Sequence, residues 1–258
     1  MKRVMSVAIV FASLTVLVQD AVTDKRSTLR ELSSPDEAML RAVIQGDVAA
    51  VRRLARMGAN VNWRRRYRPG YLHIAATRDD MRLGECLVSL GAYVDMPTTN
   101  GERPLHMAIY SARFVSFLLE KGAHPNCVTS CGQTPLHKAA KHGRADTTIL
   151  LLRGGADISS RSDSPPDWTS LHFAARCGEE KVVQSLLDWG ADVNAESGRG
   201  RTPLSLTRHT EVAELLVQNG ADVNAKDANG LTPLDHADSP ALKELLRKHG
   251  GKSGKEIK

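Results

Sequence analysis

The segment Gly122-Ala123-His124-Pro125-Asn126, followed by Thr134-Pro135-Leu136-His137 and an apolar stretch running to Leu151, decides the fold. Its first half recurs as Gly58-Ala59-Asn60-Val61-Asn62, Gly91-Ala92-Tyr93-Val94-Asp95, Gly155-Ala156-Asp157-Ile158, Gly190-Ala191-Asp192-Val193-Asn194 and Gly220-Ala221-Asp222-Val223-Asn224. From glycine to glycine the spacings are 33, 31, 33, 35 and 30 residues, and a further 30 reaches Gly250. Self-similarity at this period predicts a solenoid of stacked units, none of which buries its apolar face alone. A chain of this kind presents surface and encloses no catalytic pocket.

Each unit reads as two helices and a turn. Thr134 offers a hydroxyl to cap free backbone N–H groups, and Pro135 is tolerated in the first turn because its missing donor would be unpaired there anyway. Leu136, Ala139 and Ala140 form an apolar stripe at helical spacing. Gly143 breaks the helix, Ile149, Leu150 and Leu151 supply the second one, and Gly154 and Gly155 stop it. The alanines let the first helix approach its neighbours closely, with the Leu-rich second helix packed behind.

These residues resemble the ankyrin repeat, of the bacterial exported type. Thr-Pro-Leu-His is intact at Thr134 to His137 and survives as Thr169-Ser170-Leu171-His172 and Arg103-Pro104-Leu105-His106. It decays to Thr202-Pro203-Leu204-Ser205 and Thr232-Pro233-Leu234-Asp235. The resemblance implies an all-α fold, a solenoid of stacked helix pairs with short β-hairpin fingers, over residues 36–251. Seven repeats are expected, at about 36–62, 63–95, 96–126, 127–159, 160–194, 195–224 and 225–251, the first acting as a more charged end cap. The helices after Leu204 and Leu234 should be about three residues short. The recurrent His73, His106, His137 and His172 are expected to hydrogen-bond between adjacent repeat loops, in place of a metal or general-base role.

The ends differ from the repeats. Lys2 and Arg3 precede an uncharged run from Val4 to Val18, too short for a membrane span and suited to a signal-peptide core. Residues 1–21 are expected to be a signal peptide, or an anchor if uncleaved, and 22–35 a flexible leader. That places the protein in a periplasmic or secreted compartment, or membrane-anchored. Residues 252–258 form a short basic tail, read as a solvated end. The 258 residues carry 35 Lys and Arg against 29 Asp and Glu, a formal charge of +6. An excess of this size suits solubility and mild attraction to anionic partners without indicating nucleic-acid binding.

Several clusters carry residues capable of chemistry. Trp63-Arg64-Arg65-Arg66-Tyr67-Arg68-Pro69-Gly70-Tyr71 replaces the usual turn of the second finger. Its guanidinium groups and aromatics could hold phosphates, carboxylates or glycans by forked hydrogen bonds and stacking, or simply cover apolar surface with their stems. Cys127 and Cys131 bracket the turn of the fourth finger and could form a strained disulfide in an oxidising compartment, against free thiols. His124, Cys127, Cys131 and His137 offer zinc-type ligands, but His137 has its repeat role and Pro125 stiffens the approach, so no metal is expected. The insertion from Ser162 to Asp167, with Pro165 and Pro166, reads as a tolerated loop or a wider binding rim. No Gly-rich phosphate loop, nucleophile elbow or paired-carboxylate motif is present, so neither catalytic residues nor a cofactor are expected.

The function expected is non-catalytic: a monomeric scaffold binding an unknown partner protein, with nucleic acid not expected. An alternative is a polyanion or membrane-surface binder acting through Arg64 to Arg68. The ankyrin resemblance implies that finger tips and exposed ends of the first helices line one concave face. Transferred by repeat position, the fingers contribute Arg65, Tyr67, Arg68, Thr99, Asn100, Glu102, Ser130, Gln133, Trp168, Arg199 and Arg201. First-helix positions add Arg78, Tyr110, Ser111, Lys141, His142 and Arg176. Tyr67, Tyr110, Trp168 and Arg176 are the expected anchors, because Tyr, Trp and Arg dominate interface energetics.

Overall fold

The repeated start signal works as a two-way cap. In the computed structural model, which describes residues 34–63 and 69–257, the Thr134 hydroxyl accepts from the His137 N–H at 3.3 Å. The ring Nδ1 of His137 in turn accepts from the Thr134 N–H at 3.0 Å. Helix α7 (Pro135–Lys141) starts there. Leu136, Ala139 and Ala140 are fully buried on it. Its partner α8 (Ala145–Arg153) ends in a glycine-dependent turn: Gly155, at φ 86°, lets the Ala156 N–H reach back to Leu151 O at 2.9 Å.

The described residues fall into two compact units, divided between Val61 and Asn62. The first holds one antiparallel pair, α1 (Pro35–Gln45) and α2 (Val48–Arg56), packed through Met39, Val43 and Val51. Ser34 caps α1 and Asp47 caps α2.

The second unit stacks six pairs. Its inner helices are α3 (Tyr71–Thr77), α5 (Pro104–Met107, prolonged by a 3-10 turn at Ala108–Tyr110), α7, α9 (Ser170–Cys177), α11 (Pro203–Leu206) and α13 (Pro233–His236). Behind them stand α4 (Met81–Ser89), α6 (Ala112–Glu120), α8, α10 (Glu180–Asp188), α12 (Thr210–Gln218) and α14 (Pro240–Lys248). The core runs between the rows through Leu83, Leu87, Phe114, Leu118, Leu151, Val183, Leu186 and Leu216. As the sequence suggested, α11 and α13 are one turn each. Helix α5 is equally short, which the sequence reading did not anticipate.

The fingers differ from the expected β-hairpins. Among the described residues the only bridge is a single antiparallel pair, Ser162 with Trp168. The other described fingers are tight turns closed by two backbone bonds: Thr129 N–H to Gln133 O with Gly132 N–H to Thr129 O, and likewise Ser197 to Arg201 with Gly200 to Ser197, and Asp227 to Leu231 with Gly230 to Asp227. Both bonds lie within a four- or five-residue turn, so no strand pair extends beyond it. Successive fingers are tied tip to tip instead: Ser130 N–H to Asn100 O, Asp163 N–H to Cys131 O, Gly198 N–H to Pro166 O and Ala228 N–H to Arg199 O. The Ser162–Asp167 insertion is thus bolted to the fingers on both sides.

The basic tail is not a solvated end. Residues 252–257 fold back on the seventh repeat, where the Asp235 carboxylate of α13 accepts from the Ser253 hydroxyl and the Gly254 N–H, both at 2.7 Å. Lys252 O accepts from the Thr232 hydroxyl at 2.7 Å, and Ile257 O from Lys226 Nζ at 2.9 Å. Asp235, standing where other repeats place histidine, is the anchor.

Candidate binding face

Two ladders hold neighbouring repeats in register. Nε2 of His73, His106, His137 and His172 lies 3.0–3.1 Å from the carbonyl oxygens of Glu102, Gln133, Ser160 and Arg201, each in the following finger. In His106, His137 and His172, Nδ1 accepts from the N-cap N–H, so the neutral ring carrying its proton on Nε2 satisfies both sides. Burial pushes these three imidazoles down to about 4, against smaller raising effects from the carbonyls. Their role between repeat loops is the one expected from the sequence.

The second ladder uses the last residue of the recurrent phrase. The Nδ2 groups of Asn62, Asn126, Asn194 and Asn224 donate to Gly91, Gly155, Gly220 and Gly250 O, at 3.0–3.2 Å. Their Oδ1 atoms accept from Tyr93, Asp157, Asp222 and Lys252 N–H. Asp95 does the acceptor half, taking the His124 N–H at 3.0 Å. Sequence reasoning did not assign these residues, although their recurrence at the period was the signal.

Cys127 and Cys131 are both thiols, not a bridge. Cys127 is buried, and its Sγ lies 3.7 Å from Nδ1 of His106. That repeat has Arg103 where others have threonine, so the thiol supplies the donor a Thr hydroxyl gives His137 and His172. Burial raises the Cys127 thiol to about 11, which keeps the donating proton in place. Cys131 sits exposed on the finger turn, its carbonyl holding Asp163 and Ser164. Both nitrogens of His137 are occupied. Among the described residues no three His, Cys, Asp or Glu side chains gather as a metal-holding group.

The remaining sequence-selected residues divide by what they touch. Arg65, Tyr67 and Arg68 lie outside the described residues. Thr99, Asn100, Ser130 and Arg199 are exposed on finger tips, while Glu102 is engaged by the Lys138 ammonium. Gln133 Nε2 donates to Ser164 O at 2.9 Å, so that side chain braces the insertion. Ser111 leaves the surface set altogether: it is buried and caps α6, accepting the Phe114 N–H at 3.1 Å. Trp168 is only half exposed, its ring stacked on His172 at 6.2 Å and edge-on to Phe173 at 5.1 Å.

Tyr110, Lys141, His142 and Arg176 remain exposed at the ends of successive inner helices, and Arg78 occupies the corresponding end of α3. Tyr110 is 38% exposed, and neighbouring surface residues hold it: Arg144 stands 4.6 Å over its ring and His142 lies 5.6 Å away. Desolvation, then Lys141, Lys138 and Arg144, keep His142 below the ordinary imidazole value and favour its uncharged form beside that guanidinium. Arg201 lies 3.5 Å from the buried Asp227 carboxylate, which also holds His236 at 2.8 Å and accepts from the Asn229 and Leu231 N–H groups.

Stacked helix pairs, histidine ties and turn fingers define a repeat-type interaction scaffold. The chain belongs to the ankyrin-repeat family: ankyrin-repeat models (3 copies) match residues 39–129 and 112–197, and a further one (many copies) matches 204–237. Among solved structures, the human ASB11 ankyrin repeat domain is 28% identical with a TM-score of 0.73, covering 85% of this chain and 99% of its own. The ankyrin repeat domain of Bcl-3, described as a unique member of the IkappaB protein family, is also 28% identical with a TM-score of 0.73. That match covers 84% of this chain and all of the other. No curated protein sequence matches the chain. Domains of this family mediate protein–protein interaction and are typically non-enzymatic.

Proposed function

We propose that the protein binds a partner protein on the face formed by its finger tips and the exposed ends of its inner helices. The observation that carries this reading is the row Tyr110, Lys141, His142 and Arg176: a phenol, an imidazole and two cations, exposed on consecutive repeats at the ends of helices tied together by the two ladders. Rigid presentation loses little entropy on binding, so a few anchored side chains suffice for affinity. The test uses a partner captured by the full chain and measured in isolation. Tyr110→Ala is expected to weaken its binding by more than about 2 kcal/mol, roughly thirtyfold in Kd. Tyr93→Ala, removing a more exposed ring in the loop after α4, at the opposite end of a helix pair, should leave it unchanged. Equal effects of the two variants would overturn the reading. Trp168 is the poorer probe, since truncating it also strips packing from His172 and Phe173.

We further propose export, from the Lys2-Arg3 start and the uncharged run Val4 to Val18. The mature chain should then begin between about residues 19 and 28. Intact Met1 on soluble cytoplasmic protein would overturn it.

A further inference from the structure

Helix α11 ends after Leu206, where Thr207 turns extended at φ −72° and ψ 148°, whereas α7 and α9 continue for seven and eight residues. The missing turn leaves a notch of about 250 Å³ on the inner-helix side. Its lining is Leu206 and Thr207 with Trp168, Arg176, Arg201 and His236, and Ser205 and Arg208 complete it. The charges are unequal. Asp227 is shared between Arg201 and His236, and Asp238 engages Arg208 at 2.9 Å. Arg176, exposed at the end of α9, is in none of the ion pairs among the described residues. The notch therefore joins an aromatic wall and an apolar floor to an uncompensated guanidinium, with a second guanidinium held at a long 3.5 Å from its own carboxylate.

We propose that this notch receives an acidic side chain, Glu or Asp, from an extended segment of the partner protein, seated between Arg176 and Arg201 with its stem against Trp168 and Leu206. The occupant follows from charge complementarity: a carboxylate supplies the acceptor that Arg176 lacks and can take a forked pair of hydrogen bonds from it. The volume admits one side chain and the apolar floor suits its methylene groups. The proposal rests on the reading that this face binds protein, and goes beyond it by naming the chemistry read at one position.

The test uses two fluorescein-labelled peptides, Gly-Ser-Leu-Glu-Glu-Leu-Gly-Ser and its Gln-Gln counterpart, titrated against the full chain by fluorescence polarisation at low ionic strength. The Glu-Glu peptide should bind at least about tenfold more tightly, the scale of one charge-assisted pair. Arg176→Gln should remove the preference and Arg176→Glu reverse it. Arg113→Glu, an equal charge change on the exposed side of α6, should preserve it. Arg176 makes no ion pair, so the variants should keep the wild-type melting temperature, checked by circular dichroism. Equal affinity for the two peptides, a preference that survives Arg176→Glu, or no binding up to about 1 mM would each overturn the acidic notch. Those outcomes leave the wider interaction reading standing, because that reading is judged separately, by whether Tyr110→Ala weakens binding of the captured partner more than Tyr93→Ala does.

Discussion

At the scale of single residues, shape decides what propensity alone would get wrong. Gly84 lies inside α4, where alanine would ordinarily gain up to about 1 kcal/mol of helix stability. Its Cα, however, faces the Phe114 ring: a Cβ there would stand 2.7 Å from Phe114 Cζ. Phe114 cannot retreat freely, being fully buried and edge-on to Phe117 at 5.6 Å. Overpacking costs about 1–3 kcal/mol, so Gly84→Ala should lower stability in urea unfolding despite the better helix former. A gain would show that the ring yields at no cost. Leu136, fully buried on α7, is the complementary case: Leu136→Ala should cost about 2–5 kcal/mol, and an unchanged melting curve would contradict its place in the core.

At the scale of elements, one substitution changes what a repeat can hold. In the seventh repeat Asp235 replaces the histidine, and a carboxylate accepts where an Nε2–H donates. Burial works to raise the Asp235 carboxyl, but donors from Thr232, Gly254 and Ser253 outweigh it and hold the group well below the usual carboxylate range. A fingerlike segment rich in donors, Ser253-Gly254, can therefore dock where a carbonyl would otherwise be required. Gly254 is needed there, because a Cβ would run into the Gly230 carbonyl oxygen. Asp235→Ala should free residues 252–257 and cost about 1–3 kcal/mol. Hydrogen exchange checks it: protection at Gly254 N–H should vanish while that of α9 persists, since repeat stability is transmitted mainly between neighbours.

At the scale of the whole molecule, the histidine ladder makes stability depend on pH. His106, His137 and His172 have folded values of about 4, against about 6.5 when unfolded. Between those values the unfolded chain binds more protons. The neutral rings' contribution is therefore complete above about pH 6.5 and is lost as the pH falls towards 4. Each ring contributes up to about 3 kcal/mol, so unfolding near pH 5.5 should take up two to three protons, about one per ring. Urea midpoints from pH 7 to 5 measure this directly. A flat profile would mean that the rings can be protonated in place, which the Nδ1 acceptors opposite backbone N–H groups argue against.

The sequence by itself determined the repeat period, the helix starts at Thr-Pro-Leu-His, the shortness of α11 and α13, and the between-loop role of the histidines. These are local patterns: a cap, a stripe or a stop needs only residues within about one or two turns of each other, and repetition multiplies the signal. Tertiary structure alone decided that Cys127 serves His106 in place of bridging to Cys131, that Ser111 is a buried cap, that Trp168 is part wall and part core, and that the tail docks on Asp235. It also decided that Arg176 and Arg201 share a notch at the missing turn of α11. Each of these depends on residues that meet only after repeats stack, and stacking distance is set by what neighbouring side chains leave unfilled, which no one segment encodes.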